Sequence, residues 1–199
     1  MNAKTVFAVL FFLALILFLS AKALDSQFAS IAGLHLCLFS CAMFFLYDKD
    51  LASFLKKIGV PGNLKSNILY TILGFAALFF TLFILSLIFS FIGYNDQSKV
   101  VDIARDLPLY ILALAVFLAP ISEELFFRAF LSSRIGIFFS SLIFGLFHFA
   151  YGSVVEITGA FSIGIILAWL YKKSGSLVPV MVIHLIYNAL AIIVMRGLS

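Results

Sequence analysis

Charge is what this chain has least of. Its 13 Lys and Arg and 9 Asp and Glu make up 11% of 199 residues, and 64% of the residues are hydrophobic. Soluble domains carry roughly 25% charged residues, so a water-soluble globule is excluded. The net charge of +4 comes from basic residues scattered through connecting segments. Without a basic face, nucleic acid is excluded as a partner. Cysteine is equally scarce: Cys37 and Cys41 lie four residues apart in one apolar run. On a helix their Cβ atoms are too far apart for an unstrained disulfide, and both read as packing residues.

What the chain does have is long apolar runs. Hydropathy marks about seven, over residues 5–24, 28–47, 67–93, 107–130, 135–151, 154–171 and 177–195. Most approach the length needed to cross a hydrocarbon core of about 30 Å at 1.5 Å of rise per residue. The expected fold is all-α, a polytopic transmembrane helix bundle with membrane lipid as its surroundings. The 25 phenylalanines suit packing and lipid contact. Residues 1–106 would supply three spans and their loops, and residues 107–196 a four-span unit holding the site. Gly159, Ala160 and Gly164 in the sixth span offer small residues for close helix approach.

With the amino terminus in the cytoplasm, the inside set holds nine basic residues: Lys4, Lys49, Lys56, Lys57, Lys65, Arg128, Arg134, Lys172 and Lys173. The outside set holds four: Lys22, Lys99, Arg105 and Arg196. The bias favours a multi-pass cell-membrane protein with its amino terminus inside. The first run, with Lys4 before it and Ala21-Lys22-Ala23 after it, also has features of a cleaved signal peptide. Its length and its continuation into a second span favour a retained helix. The loop 48–66 contains the turn signal Pro61-Gly62 and reads as an ordinary solvated loop.

Against this apolar background, Glu123, Glu124 and Arg128 fall inside one span, with His148, His184 and Asn188 in later ones. A charge at the centre of a membrane helix costs at least about 2.5 to 3.5 kcal/mol, so such residues face a bundle interior or cavity. Glu124 and Arg128, four apart, share a helix face and can form a charge-assisted pair. Glu123, rotated by about 100° from its neighbour, is then free to face a cavity. The bland alternative has both acids paired with the one arginine.

A carboxylate in a low-dielectric pocket holds a proton more readily than one in water, the property a general base requires. Glu123 is the candidate base, with His148 sharing the proton or orienting a water. His184 and Asn188, four apart on one face, can donate hydrogen bonds to a developing oxyanion. Water, base and oxyanion donors suffice for amide hydrolysis. Helix rise puts Glu123 about 10 Å, His184 about 12 Å and His148 about 15 to 20 Å from the cytoplasmic ends of their spans. A shared layer toward the cytoplasmic half is expected. His35, with no acidic neighbour at helical spacing, reads as structural, and Glu156, near the outer end of its span, as wet.

Three motifs then stand in order: Glu123-Glu124-Leu125-Phe126-Phe127-Arg128 as EExxxR, Phe144-Gly145-Leu146-Phe147-His148 as FxxxH, and His184-Leu185-Ile186-Tyr187-Asn188 as HxxxN. In this the chain resembles the CPBP family, the CAAX proteases and bacteriocin-processing or immunity proteins also called Abi, over residues 107–195. The resemblance implies an intramembrane glutamic endopeptidase that removes the last three residues of prenylated CAAX proteins. It implies that Glu123 and His148 activate water, that His184 and Asn188 form the oxyanion site, and that Glu124 and Arg128 support them. It implies a peptide or prenylated protein C-terminus as substrate and no cofactor. Ala129 departs from the glycine that many members carry after the arginine.

One Glu and two His also make the ligand set of many hydrolytic zinc sites. HExxH is absent, and Asn188 is a better hydrogen-bond donor than a zinc ligand, so no metal site is assigned and zinc stays the nearest rival. No GxGD accompanies Tyr47-Asp48 and no GxSG supplies a serine nucleophile. A non-catalytic immunity or scaffold protein, or a proton-coupled transporter, would use the same buried polar groups differently.

Overall fold

A computed structural model describes residues 2–21, 23 and 25–197. Among them there is no strand. Nine α-helices run in order: α1 (Ala3–Ser20), α2 (Gln27–Leu46), α3 (Leu51–Lys57), α4 (Leu64–Phe91), α5 (Ser98–Asp106), α6 (Leu109–Glu123), α7 (Ser132–Phe147), α8 (Val154–Ser174) and α9 (Leu177–Gly197). A π-helical segment (Glu124–Leu131) joins α6 to α7, and a 3-10 turn (His148–Tyr151) follows α7. Several helices start on side-chain caps. Asn2, Ser26, Asp50, Asn63 and Ser153 each accept a hydrogen bond from the backbone N–H three residues on, satisfying a donor that the first turn leaves orphaned. Lys22 in the small-residue stretch, and Leu24, where the first span was expected to end, lie outside the described residues.

Six helical stretches are long and apolar enough to cross a membrane, against the seven expected. The difference lies in Leu109–Tyr151, one stretch of 43 residues that the hydropathy had divided in two. It is not straight. Gly136 has φ 83° and ψ 170°, a conformation open to glycine and not to an L side chain, and there the helix breaks. Beyond it α7 folds back onto the π segment. Ser140 Oγ donates to the Phe127 carbonyl at 2.7 Å, and the Phe127 and Phe144 rings pack edge-on at 5.1 Å. The loops 48–66 and 95–106 carry two short helices, α3 and α5, that hydropathy alone did not mark.

The core is shared by both parts of the chain. Met43 and Leu46 of α2, Leu78 of α4, Leu125 of the π segment, Leu167 and Leu170 of α8 and Ile183 of α9 form one buried cluster. Outside it, α4 presents bare apolar side chains such as Phe80 (67% exposed) and Phe83 (60%). A soluble monomer rarely shows so extended an apolar surface, and lipid is the medium that accommodates it: the protein is a multi-pass membrane protein. Of the small residues in α8, Gly164 brings α7 close, since a Cβ there would lie 3.0 Å from Ser141 Cβ. Gly159 makes no such approach and opens onto a cavity. Cys37 and Cys41 are both free thiols, as expected of packing residues.

At one end of the bundle the α4–α5 loop is tied to the start of α8. Asp96 accepts hydrogen bonds from Ser153 Oγ (2.7 Å), the Val154 N–H (2.8 Å), the Val155 N–H (3.3 Å) and Tyr94 O–H (3.0 Å). Lys99 Nζ, 3.8 Å from Asp96, donates to the Gly152 carbonyl at 2.8 Å. A carboxylate at a helix N-terminus faces free N–H groups and the positive end of the helix dipole. Burial works against the charge on Asp96, but the Ser153, Val154, Val155 and Tyr94 donors outweigh it and hold the carboxyl at about 2.

Candidate active site

The two adjacent glutamates take separate environments. Pro120 sits inside α6 and deprives it of one backbone donor. Four residues on, the helix widens into the π segment, a form that often accompanies functional sites. Glu124 and Arg128 lie on this segment with no exposed surface at all. Arg128 Nε donates to Glu124 Oε2 at 2.9 Å and Nη2 to Oε1 at 3.3 Å, a fork geometry that neutralises both charges. The guanidinium also lies over the Phe144 ring, 4.4 Å from its centre. Glu124 alone forms the pair, so the alternative in which both acids share the arginine is set aside.

Glu124 makes a third contact, to His184 Nδ1 at 2.8 Å. A carboxylate already bound to a guanidinium is ionised and can only accept, so Nδ1 carries the proton and Nε2 faces away. Nε2 lies 3.7 Å from Glu123 Oε2. That is too long for a direct bond, yet one water can touch both atoms. The other Glu123 oxygen, Oε1, is 3.7 Å from His35 Nδ1. Glu123 keeps 14% of its side-chain surface accessible, where Glu124 keeps none. The first acid keeps some exposed surface and the second keeps none.

His148 is placed differently from the sequence expectation. It closes α7 instead of lying within it, and no ion-pair contact joins it to Glu123; the imidazoles at Glu123 are those of His184 and His35. Its Nδ1 donates to the Phe144 carbonyl at 2.9 Å, which leaves Nε2 as the free nitrogen. Asn188, one turn beyond His184 on α9, donates through Nδ2 to the Ala115 carbonyl at 2.9 Å and so is anchored to α6. One amide N–H remains for another acceptor.

His148, His184 and Asn188 line a cavity of about 730 Å³, a volume in the range of small-ligand pockets. Its walls are apolar residues of α4 and α8, among them Leu82, Phe89 and Ile163. Glu123 is not one of its lining residues but meets one of them, with Oε2 3.7 Å from His184 Nε2. Glu156, expected to be wet, is half-buried and lines this cavity. The cavity extends to Gly93, Tyr94, Asn95 and Gln97, at and after the end of α4. Beyond the break at Gly136 the rest of α7 runs back along the π segment and ends at His148, on the cavity that His184 and Asn188 also line. Arg128, counted among the inside charges, is a buried pair, leaving eight of the original nine.

His35, read from the sequence as structural, stands beside Glu123. It is buried on α2, its Nδ1 is 2.9 Å from Ser122 Oγ, and it meets Glu123 across 88 positions of sequence. No local spacing signals that contact. Among the described residues no three His, Cys, Asp or Glu side chains are grouped so as to hold a metal ion.

Residues 105–190 match the family model described as type II CAAX prenyl endopeptidase Rce1-like. The match spans the three motifs and the helices α6 to α9 that carry them. Comparison with curated proteins and with solved structures gave no match.

Proposed function

From the premise that residues 105–190 are an Rce1-like domain of the CAAX-protease family, we propose that the protein is an intramembrane endopeptidase of glutamic type. In this reading the amino terminus lies in the cytoplasm and the substrate is a peptide or prenylated protein C-terminus seated in the cavity between α4 and α8. The observation that carries it is the division of labour between the paired acids: Glu124 is sealed on Arg128 and His184, while Glu123 stays accessible beside His184 Nε2.

A water at Glu123 attacks the scissile carbonyl carbon as Glu123 takes its proton. The free Nε2 of His148 accepts the second O–H and orients the water. The captured proton passes to His184 Nε2, forming an imidazolium that ionised Glu124 stabilises through Nδ1. His184 Nε2–H and the remaining Asn188 N–H then donate to the oxyanion of the tetrahedral intermediate. The C–N bond breaks, the leaving amine takes the proton from His184, and Glu123 is again a carboxylate. No metal or cofactor takes part.

The test is hydrolysis by the purified protein in liposomes of fluorogenic peptides with prenylated and unprenylated CAAX ends. Wild type cleaves, and a chelator leaves the rate unchanged. Glu123→Gln and His148→Ala each lose about 100-fold or more. Wild-type rates in Glu123→Gln would overturn the reading, and restoration by added zinc after chelation would replace it with a metal mechanism.

A further inference from the structure

The matched domain begins at residue 105, yet one of the two imidazoles at Glu123 comes from outside it. His35 stands on α2, 7% exposed, with Nδ1 2.9 Å from Ser122 Oγ and 3.7 Å from Glu123 Oε1. The Ser122 hydroxyl is itself within 3.0 Å of the Leu118 carbonyl and 3.1 Å of the Ala119 carbonyl. Carbonyls only accept, so the single hydroxyl proton goes to one of them and Oγ is left as an acceptor. With the serine proton on a carbonyl, His35 Nδ1 carries the proton of the His35–Ser122 bond. That N–H has two oxygens before it, Ser122 Oγ at bonding distance and Glu123 Oε1 just beyond.

We infer that His35 is a positioning residue for the active-site glutamate: anchored on α2 by its bond to Ser122, its ring stands 3.7 Å from Oε1 of Glu123, beyond a direct bond, and by contact and by its N–H dipole it keeps that oxygen on the α2 side so that Oε2 is turned toward His184. The inference rests on the proposed role of Glu123 as base. Two imidazoles then flank one carboxylate, each on its own oxygen, and they have opposite duties. His184 exchanges a proton with Glu123, while His35, committed to Ser122, does not. A carboxylate on a flexible three-torsion side chain gains most from such a clamp, because misplacement of a base by about 1 Å can cost on the order of 100-fold in rate. The amino-terminal helices on this account are part of the enzyme's site, beyond their part in the scaffold.

The test compares His35→Leu with His35→Asn in the full-length protein. Asn carries an amide N–H near the place of Nδ1, and Leu carries none. The expectation for Leu is a fall in kcat on the order of tenfold with KM unchanged, and for Asn recovery of most of that loss. A second readout does not depend on turnover. The infrared carboxylate band of Glu123, assigned by its disappearance in Glu123→Gln, shifts in His35→Leu and returns in His35→Asn. Thermal unfolding in detergent identifies any loss that is merely of folding, and in that event His35→Asn alone decides. A band and a kcat both indifferent to Leu would overturn the inference, as would equal losses in Leu and Asn. Absence of peptidase activity in wild type would overturn the proposed function and leave the infrared comparison to decide the role of His35.

Discussion

His184 Nδ1 lies 2.8 Å from Glu124 Oε1, and this bond joins two of the three motifs into a single unit. It fixes which nitrogen of His184 is free, because Glu124, held by Arg128, can only accept. A carboxylate that orients an imidazole in this way also stabilises the imidazolium once it forms, the logic of the acid in a serine hydrolase triad. Here the acid belongs to the π segment and the imidazole to α9, so α9 is locked in register against the helix that carries Glu123.

Removal of one member of the buried pair leaves an uncompensated charge. Glu124→Leu is expected to destabilise the protein by about 3–5 kcal/mol, and the double variant Glu124→Leu/Arg128→Leu to recover most of that loss. Thermal unfolding in detergent measures both. A Glu124→Leu protein as stable as wild type would show that Arg128 finds another partner.

Asn188 is tied to the Ala115 carbonyl and keeps one N–H for the cavity. Asn188→Ala should lower kcat by about 100- to 1000-fold with little change in KM, since the lost donor acts on charge that develops only in the transition state. Steady-state kinetics on the fluorogenic peptide separates the two constants. A change confined to KM would assign Asn188 to ground-state binding.

Asp96 connects pH to stability at the mouth of the cavity. Its carboxyl is held at about 2, below the ordinary 3.8, by the Ser153, Val154, Val155 and Tyr94 donors that overcome its desolvation. A group with a lowered native value stabilises the fold fully above its unfolded value, and that contribution fades as pH falls through the native one. Asp96→Asn should therefore unfold more easily than wild type near neutral pH, and the difference should narrow as pH falls from about 4 toward about 2. Denaturation at a series of pH values tests the trend; a constant difference would exclude ionisation of Asp96 as its source.

The reversal after the π segment depends on Gly136. At φ 83° and ψ 170° an alanine Cβ is strained whatever the surrounding space, and nothing lies within 4 Å of that position. Gly136→Ala is expected to cost about 1–3 kcal/mol through backbone strain alone. Unfolding in detergent should show that loss, with residual cleavage at temperatures where the fold survives. Unchanged stability would mean that the turn relaxes to another path.

Much of the architecture was legible because membrane insertion imposes simple length and polarity rules on each segment separately. The runs over 28–47, 154–171 and 177–195 reappear as α2, α8 and α9 within a few residues. The polar residues of interest also stood out, since charge is costly in an apolar run. The short helices α3 and α5 escaped notice because helices of seven and nine residues outside the spans need neither length nor uniform hydropathy.

The chain by itself determined that the protein is helical and membrane-embedded, that Glu124 can reach Arg128, and that His184 and Asn188 share a face. Each follows from helical periodicity acting over a few residues. The packed structure decided the rest: that Glu123 stands between His184 and His35, that His148 lies at the end of α7, and that α2 packs beside Glu123. Those relations join residues tens of positions apart, and the register of one helix against another is set by side-chain packing that no local pattern encodes.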